Sequence, residues 1–154
     1  MIDEPKIAQL DATPTAYIHL TIPRDKMPEV MGPAVEEVIS TVAGQGVEAT
    51  GAVFAHHLKM DPKTFDFEVG VPVSAPVAPS GRVEPGKRPV TRVAQTVYHG
   101  PYDGLPGTWG KFHDWLENSG HKWAPDIWEC YVVHPGSEPD PANWQTQLNR
   151  PLAD

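Results

Sequence analysis

Apolar and polar residues alternate over residues 16–22, with Ala16, Ile18, Leu20 and Ile22 on one side, and that period of two predicts a strand. The period then lengthens to that of a helix. Met27, Val30, Met31, Val35, Val38, Ile39 and Val42 form one stripe, Asp25 supplies an N-cap, and Gly44 and Gly46 supply stop signals. Pro33 interrupts this stripe and predicts a kink, or a helix that begins at Pro33, because proline removes one backbone bond and crowds the preceding turn. Residues 51–60 and 64–73 read as two strands joined in a hairpin by Asp61-Pro62-Lys63. Residues 1–14 read as a frayed lead-in, and residues 74–89, rich in Pro and Gly, as a linker. Beyond that linker the order repeats: a strand over 90–98, a helix over 105–118, and strands over 126–133 and 143–148.

The two helical stripes match residue for residue. Met31, Val35, Val38, Val42 and Gly46 recur at one constant offset as Leu105, Trp109, Phe112, Leu116 and Gly120. The closing strands also end alike, in Val71-Pro72-Val73 and Arg150-Pro151-Leu152. The pattern predicts an α+β fold built of tandem βαββ units, about 15–73 and 90–152, within a single domain spanning 1–154. Such a duplication makes one pseudo-twofold antiparallel sheet with two main helices. Helices packed on one sheet face leave the other face for a cleft.

Composition narrows the function classes. The chain has 154 residues and a net charge of −8, with only 12 Lys and Arg, scattered along its length. A nucleic-acid groove needs a basic surplus on one face, so no direct nucleic-acid contact is expected. One cysteine excludes an intramolecular disulfide and fits a reducing compartment. The start, Met-Ile-Asp-Glu-Pro-Lys, lacks the basic and apolar run of a signal peptide, and no stretch approaches the ~20 apolar residues of a membrane span. A cytoplasmic protein without membrane contact is the expectation.

The candidate chemistry centres on Trp128-Glu129-Cys130-Tyr131-Val132-Val133, a strand-like run with a carboxylate inside it. That carboxylate either faces water or is sunk among rings, and sinking it costs several kcal/mol unless it has a task. If Trp128, Cys130 and Val132 face the helix together with Val93 and Val97, then Glu129, Tyr131 and Tyr98 share the open face with Ala94 and Thr96. Aromatic walls around one carboxylate suit a flat lipophilic cation. His57 is a secondary cleft candidate; Phe67 divides between core and cleft floor, and Trp109 between core and cleft edge. Cys130 reads as a packed thiol. His56 and His57 are strand neighbours pointing to opposite faces, and no histidine spacing, those of His19 and His113 included, matches a metal site. Gly107-Thr-Trp-Gly110 lacks the lysine and spacing of a phosphate loop. No cofactor is expected.

Tyr98-x-Gly-Pro-Tyr102, Phe112-x-x-Trp115-Leu116, Trp128-Glu129-x-Tyr131, Asn143-Trp144-x-Thr146 and the closing Pro151-Leu152 together resemble the GyrI-like small-molecule-binding family, which includes the effector-binding domains of BmrR-type and AraC-type regulators. The resemblance spans about residues 15–152 and is most specific in the second half. It implies a ligand cleft between the two βαββ units. An acidic residue in the position of Glu129 lies at the cleft base, Tyr131 lies on the same pocket strand, and Tyr98 and Tyr102 form an aromatic wall. Fourteen leading residues leave no room for a helix-turn-helix, so a stand-alone domain is expected.

Three functions follow from these residues and this resemblance. The first is binding of small aromatic or lipophilic, often cationic, molecules for sequestration, sensing or drug resistance. The second is hydrolysis of electrophilic, cyclopropane-bearing natural products, with Glu129 as general base and Tyr98 or Tyr131 as proton donor. The third is a protein partner, in the manner of a DNA gyrase inhibitor, which the scattered charges do not support.

Overall fold

The computed structural model describes residues 2–60, 62–134 and 137–153. In chain order the elements are β1 (Lys6–Leu10), β2 (Thr13–Pro23), α1 (Met27–Gly44), β3 (Phe54–Met60), β4 (Thr64–Pro72), β5 (Glu84–Arg88), β6 (Thr91–His99), α2 (Leu105–Ser119), β7 (Ile127–Val133) and β8 (Gln145–Pro151). The fold is α+β, and every strand pairing within each unit is antiparallel. The chain forms two compact units. The first comprises Asp11–Val90, and the second comprises Met1–Leu10 together with Thr91–Asp154.

In the first unit the strand order is β3-β4-β2-β5. Ala16, Ile18, Ala55, Phe67, Val69 and Val71 are buried on one sheet face, and α1 lies against β2 and β4 through Ala34, Val38 and Val42. Pro28 sits in the first turn of α1, where its missing N–H costs nothing, and the helix continues through Pro33. β3 and β4 pair as the expected hairpin; Asp61 of its turn lies outside the described residues.

The second unit has the order β1-β6-β8-β7. Its core joins Ala94 and Tyr98 of β6 and Leu148 of β8 to Leu105, Phe112 and Leu116 of α2.

The internal repeat is exact where it matters. The buried stripe Ala34, Val38, Val42 of α1 returns as Thr108, Phe112, Leu116 of α2. Gly46 and Gly120 close the two helices with φ of 70° and 80°, the left-handed turn that glycine adopts without strain. Even the irregularities recur: the β3–β4 ladder slips between His57 and Lys59, and the β7–β8 ladder slips between Tyr131 and Val133. Register then fixes the equivalences. Ala55 and His57 pair with Val69 and Phe67. Glu129 and Tyr131 pair with Leu148 and Thr146. Thus Glu129 corresponds to Ala55, Tyr131 to His57 and Thr146 to Phe67.

Two segments differ from the sequence expectation. Residues 6–10 are no frayed lead-in: as β1 they pair with β6 from Lys6↔Gln95 to Leu10↔Thr91. The 74–89 stretch is no plain linker either, since β5 pairs with β2 from Thr13↔Arg88 to Tyr17↔Glu84. Both are short edge strands whose exposed, Pro-, Gly- or Lys-bearing sequences carry no alternation, so partner strands order them rather than intrinsic preference. Among the described residues no helix is long and apolar enough to cross a membrane.

Candidate ligand-binding site

β7 alternates as expected, but with its faces exchanged. Ile127 and Glu129 are buried, whereas Trp128 and Cys130 are half-buried and Val132 is exposed. Because Glu129 pairs with Leu148, and Leu148 with Thr96, the carboxylate shares the sheet face of Ala94, Tyr98 and Leu148, which is the face α2 covers. The expected open-face position of Glu129 is therefore corrected: it lies between sheet and helix. A period of two fixes which residues share a face and leaves open which face is covered. Cys130 is likewise moved from the helix side; it neighbours Asn149, whose Nδ2 lies 3.8 Å from its Sγ.

Two neutral donors grip the carboxylate. Trp109, one turn into α2, donates its indole N–H to Glu129 Oε2 at 2.7 Å. Tyr131, two residues along β7 on the same face, donates its hydroxyl to Oε1 at 2.9 Å. Glu129 is only 9% exposed. Burial pushes its carboxyl above the usual range, and the Trp109 and Tyr131 hydrogen bonds pull it part of the way back. Burial, and then the facing carboxylate, pushes the Tyr131 hydroxyl well up, so it stays protonated and remains a donor. These two donors hold the carboxylate in place without cancelling its charge.

Rings extend the site. Tyr102 stands edge-on to Tyr131 at 5.7 Å between centroids and tilts against Trp144 at 5.0 Å. Its hydroxyl is also pushed up, by burial first and then by Glu129, which places it within the carboxylate's field. Trp144 is steadied by its indole N–H, which donates to the Glu138 carbonyl at 2.7 Å. Trp109 leans on Phe112 at 5.8 Å, which ties the site to the core of the second unit.

The structure thus brings Glu129, Tyr131, Trp109 and Tyr102 together. Tyr98 lies on the same sheet face, but its hydroxyl donates to the Pro101 carbonyl at 2.8 Å and its ring fills the space beside Gly104. A Cβ at Gly104 would collide with that ring, so Tyr98 and Gly104 together fix the turn that launches α2.

His57 and Phe67 belong to the first unit. Their rings stack at 5.4 Å, and Phe65 closes on His57 at 5.2 Å. Burial, aided by the charges of His56 and Arg24, lowers His57 to about 4, so it is neutral at pH 7. His19 is engaged with Asp66, and His113 with Glu117. Among the described residues no group of three or more His, Cys, Asp or Glu side chains is arranged to hold a metal.

Sequence reasoning gives Trp144 and Thr146 no place in the site, although the Asn143-Trp144-x-Thr146 motif offers a signal and Thr146 and Leu148 share one parity of β8. Thr146 pairs with both Tyr98 and Tyr131, is fully buried, and has no hydrogen-bond partner for its Oγ1 among the described residues.

The duplicated βαββ frame thus carries a carboxylate clasped by indole and phenol donors among further rings, an arrangement able to receive a small molecule. The family model described as the GyrI-like small molecule binding domain matches residues 3–152, and the chain belongs to that family. The sequence has no match among curated proteins. Among solved structures the chain is similar to the C-terminal domain of EcmrR, with a TM-score of 0.87 at 17% identity over 98% of each chain. It spans 57% of the EcmrR chain seen in a complex with DNA. It is also similar to SAV2435 bound to tetraphenylphosphonium, with a TM-score of 0.70 at 9% identity over 98% of this chain and 94% of that one. A hydrolase from Listeria innocua gives a TM-score of 0.63 at 13% identity over 97% and 91%. At such identities these likenesses speak for the fold alone.

Proposed function

We propose that the Glu129 site binds flat or globular lipophilic molecules that carry a positive charge, for sequestration or sensing. The observation that carries this reading is the buried carboxylate held by Trp109 and Tyr131 beside the Tyr102–Trp144 ring pair. An anion in a dry, ring-lined place attracts a cation more strongly than it would in water, and ring faces add cation–π attraction. The tetraphenylphosphonium bound by SAV2435 is a molecule of this chemistry, which makes it a suitable probe. Titration of intrinsic tryptophan fluorescence with tetraphenylphosphonium is expected to show Glu129→Gln binding weaker by roughly 1–3 kcal/mol, the scale of one charge-assisted contact. Equal affinities of the two proteins would remove the reading.

The hydrolytic alternative draws on the same raised carboxyl, since raising a carboxyl strengthens it as a general base. It also needs a hydroxyl donor. The Tyr98 hydroxyl is committed to Pro101 and the Tyr131 hydroxyl to Glu129 itself, so binding is the better-supported function.

A further inference from the structure

Thr146 sits on β8 directly between Tyr98 and Tyr131, on the sheet face that carries Glu129. It is fully buried, and its Oγ1 meets no hydrogen-bond partner among the described residues. A buried hydroxyl without a partner forfeits its hydration for nothing, and native structures keep few of them. The scaffold does not ask for one here. The equivalent position of the first unit is Phe67, fully buried and wholly apolar, paired across the ladder with His57 as Thr146 is with Tyr131. A valine would have the shape of threonine and no unmet polar atom. The hydroxyl therefore answers to something other than folding.

Register says where that partner must lie. Glu129 pairs with Leu148, two residues along from Thr146, so the two side chains are diagonal neighbours about 7–8 Å apart at the backbone. Tyr131, its cross-strand partner, carries the ring against which Tyr102 stands, and Tyr102 in turn leans on Trp144. We infer that Thr146 is a specificity-determining residue: its hydroxyl receives a polar substituent, such as a hydroxyl, ether or carbonyl, carried on the ring system of the bound cation. This rests on the binding function proposed above and narrows it to ring cations that bear a hydrogen-bonding group, favoured over purely hydrocarbon ones. Threonine both donates and accepts, so it accommodates either sense of hydrogen bond.

A matched pair of probes tests this: tetraphenylphosphonium, and the same ion with one para-hydroxyl, (4-hydroxyphenyl)triphenylphosphonium. The unaltered protein is expected to prefer the hydroxylated ion by about fivefold, the worth of one neutral hydrogen bond. Thr146→Val should bring that ratio near one while leaving tetraphenylphosphonium within about twofold, and Thr146→Ser should keep the preference. Without ligand, Thr146→Val should melt no lower than the unaltered protein, because it removes an unpaired polar atom. A preserved ratio in Thr146→Val, or a melting temperature lowered by several degrees, overturns the role of Thr146 while leaving the Glu129 reading standing. Failure of the unaltered protein to bind either ion overturns both.

Discussion

The two units share one scaffold and fill it with opposite chemistry. Both carry a βαββ frame with a matching buried helix stripe, a left-handed closing glycine and a ladder slip at the same place. At the four positions that matter, the first unit places Val35, Ala55, His57 and Phe67 where the second places Trp109, Glu129, Tyr131 and Thr146. The first set is apolar apart from one imidazole kept neutral by burial. The second is a carboxylate with its two donors, Trp109 and Tyr131, and the buried Thr146 hydroxyl. Since the first set folds into the same frame, the fold does not require the second, and a buried carboxylate without structural need supports the binding role proposed for it.

The largest expected effect comes from forcing the two units to be alike. Ala55→Glu would bury a carboxylate in a unit where Val35 holds the position equivalent to Trp109 and has no donor to offer, and should cost about 3–5 kcal/mol in urea denaturation or prevent folding. Mild loss would mean that the frame tolerates the anion anywhere, and the contrast between the units would carry no functional meaning.

Next comes acid sensitivity, which the comparison assigns to the first unit. His57 titrates near 4 when folded and near 6.5 when unfolded, so between these values the unfolded chain takes up a proton that the folded one refuses. Stability is complete above about pH 6.5 and falls as pH drops toward 4, by on the order of 3 kcal/mol. His57→Phe should flatten that part of the profile of denaturation midpoint against pH. An unchanged profile would place the acid sensitivity elsewhere.

Trp109→Phe is expected to have a smaller effect. It keeps the ring against Phe112 and removes only the donor, so it should cost about 1.5–3 kcal/mol at pH 7, the range for a hydrogen bond to a charged group. It should also raise the Glu129 carboxyl further. A variant as stable as the parent would show that the indole N–H does not hold the carboxylate.

Much of this was legible in the chain. The helical stripes and their common spacing, the strand periods and the lone acidic residue in an aromatic strand yield the βαββ repeat and single out Glu129. The face that carries Glu129 was not legible, because Trp128 looks like the better core residue; Phe112 and Leu116 meeting Ala94, Tyr98 and Leu148 decide it. The edge strands β1 and β5 escaped notice because their order comes from β6 and β2 rather than from their own residues. Tyr98 reads as a wall residue, yet its hydroxyl is spent on the Pro101 carbonyl three residues away, a local bond that depends on the turn at Gly100 and Gly104. Trp144 joins the other rings through its contact with Tyr102, which links residues far apart in the chain.

The most direct test follows the Glu129 carboxyl carbon by NMR through a pH titration, without and with saturating tetraphenylphosphonium. The free protein is expected to show a pKa above the ordinary 4.5, because burial outweighs the two hydrogen bonds, and a clear fall when the cation arrives beside the ionised form. A pKa that does not move on saturation would contradict the claim that this carboxylate is the counter-charge of the ligand.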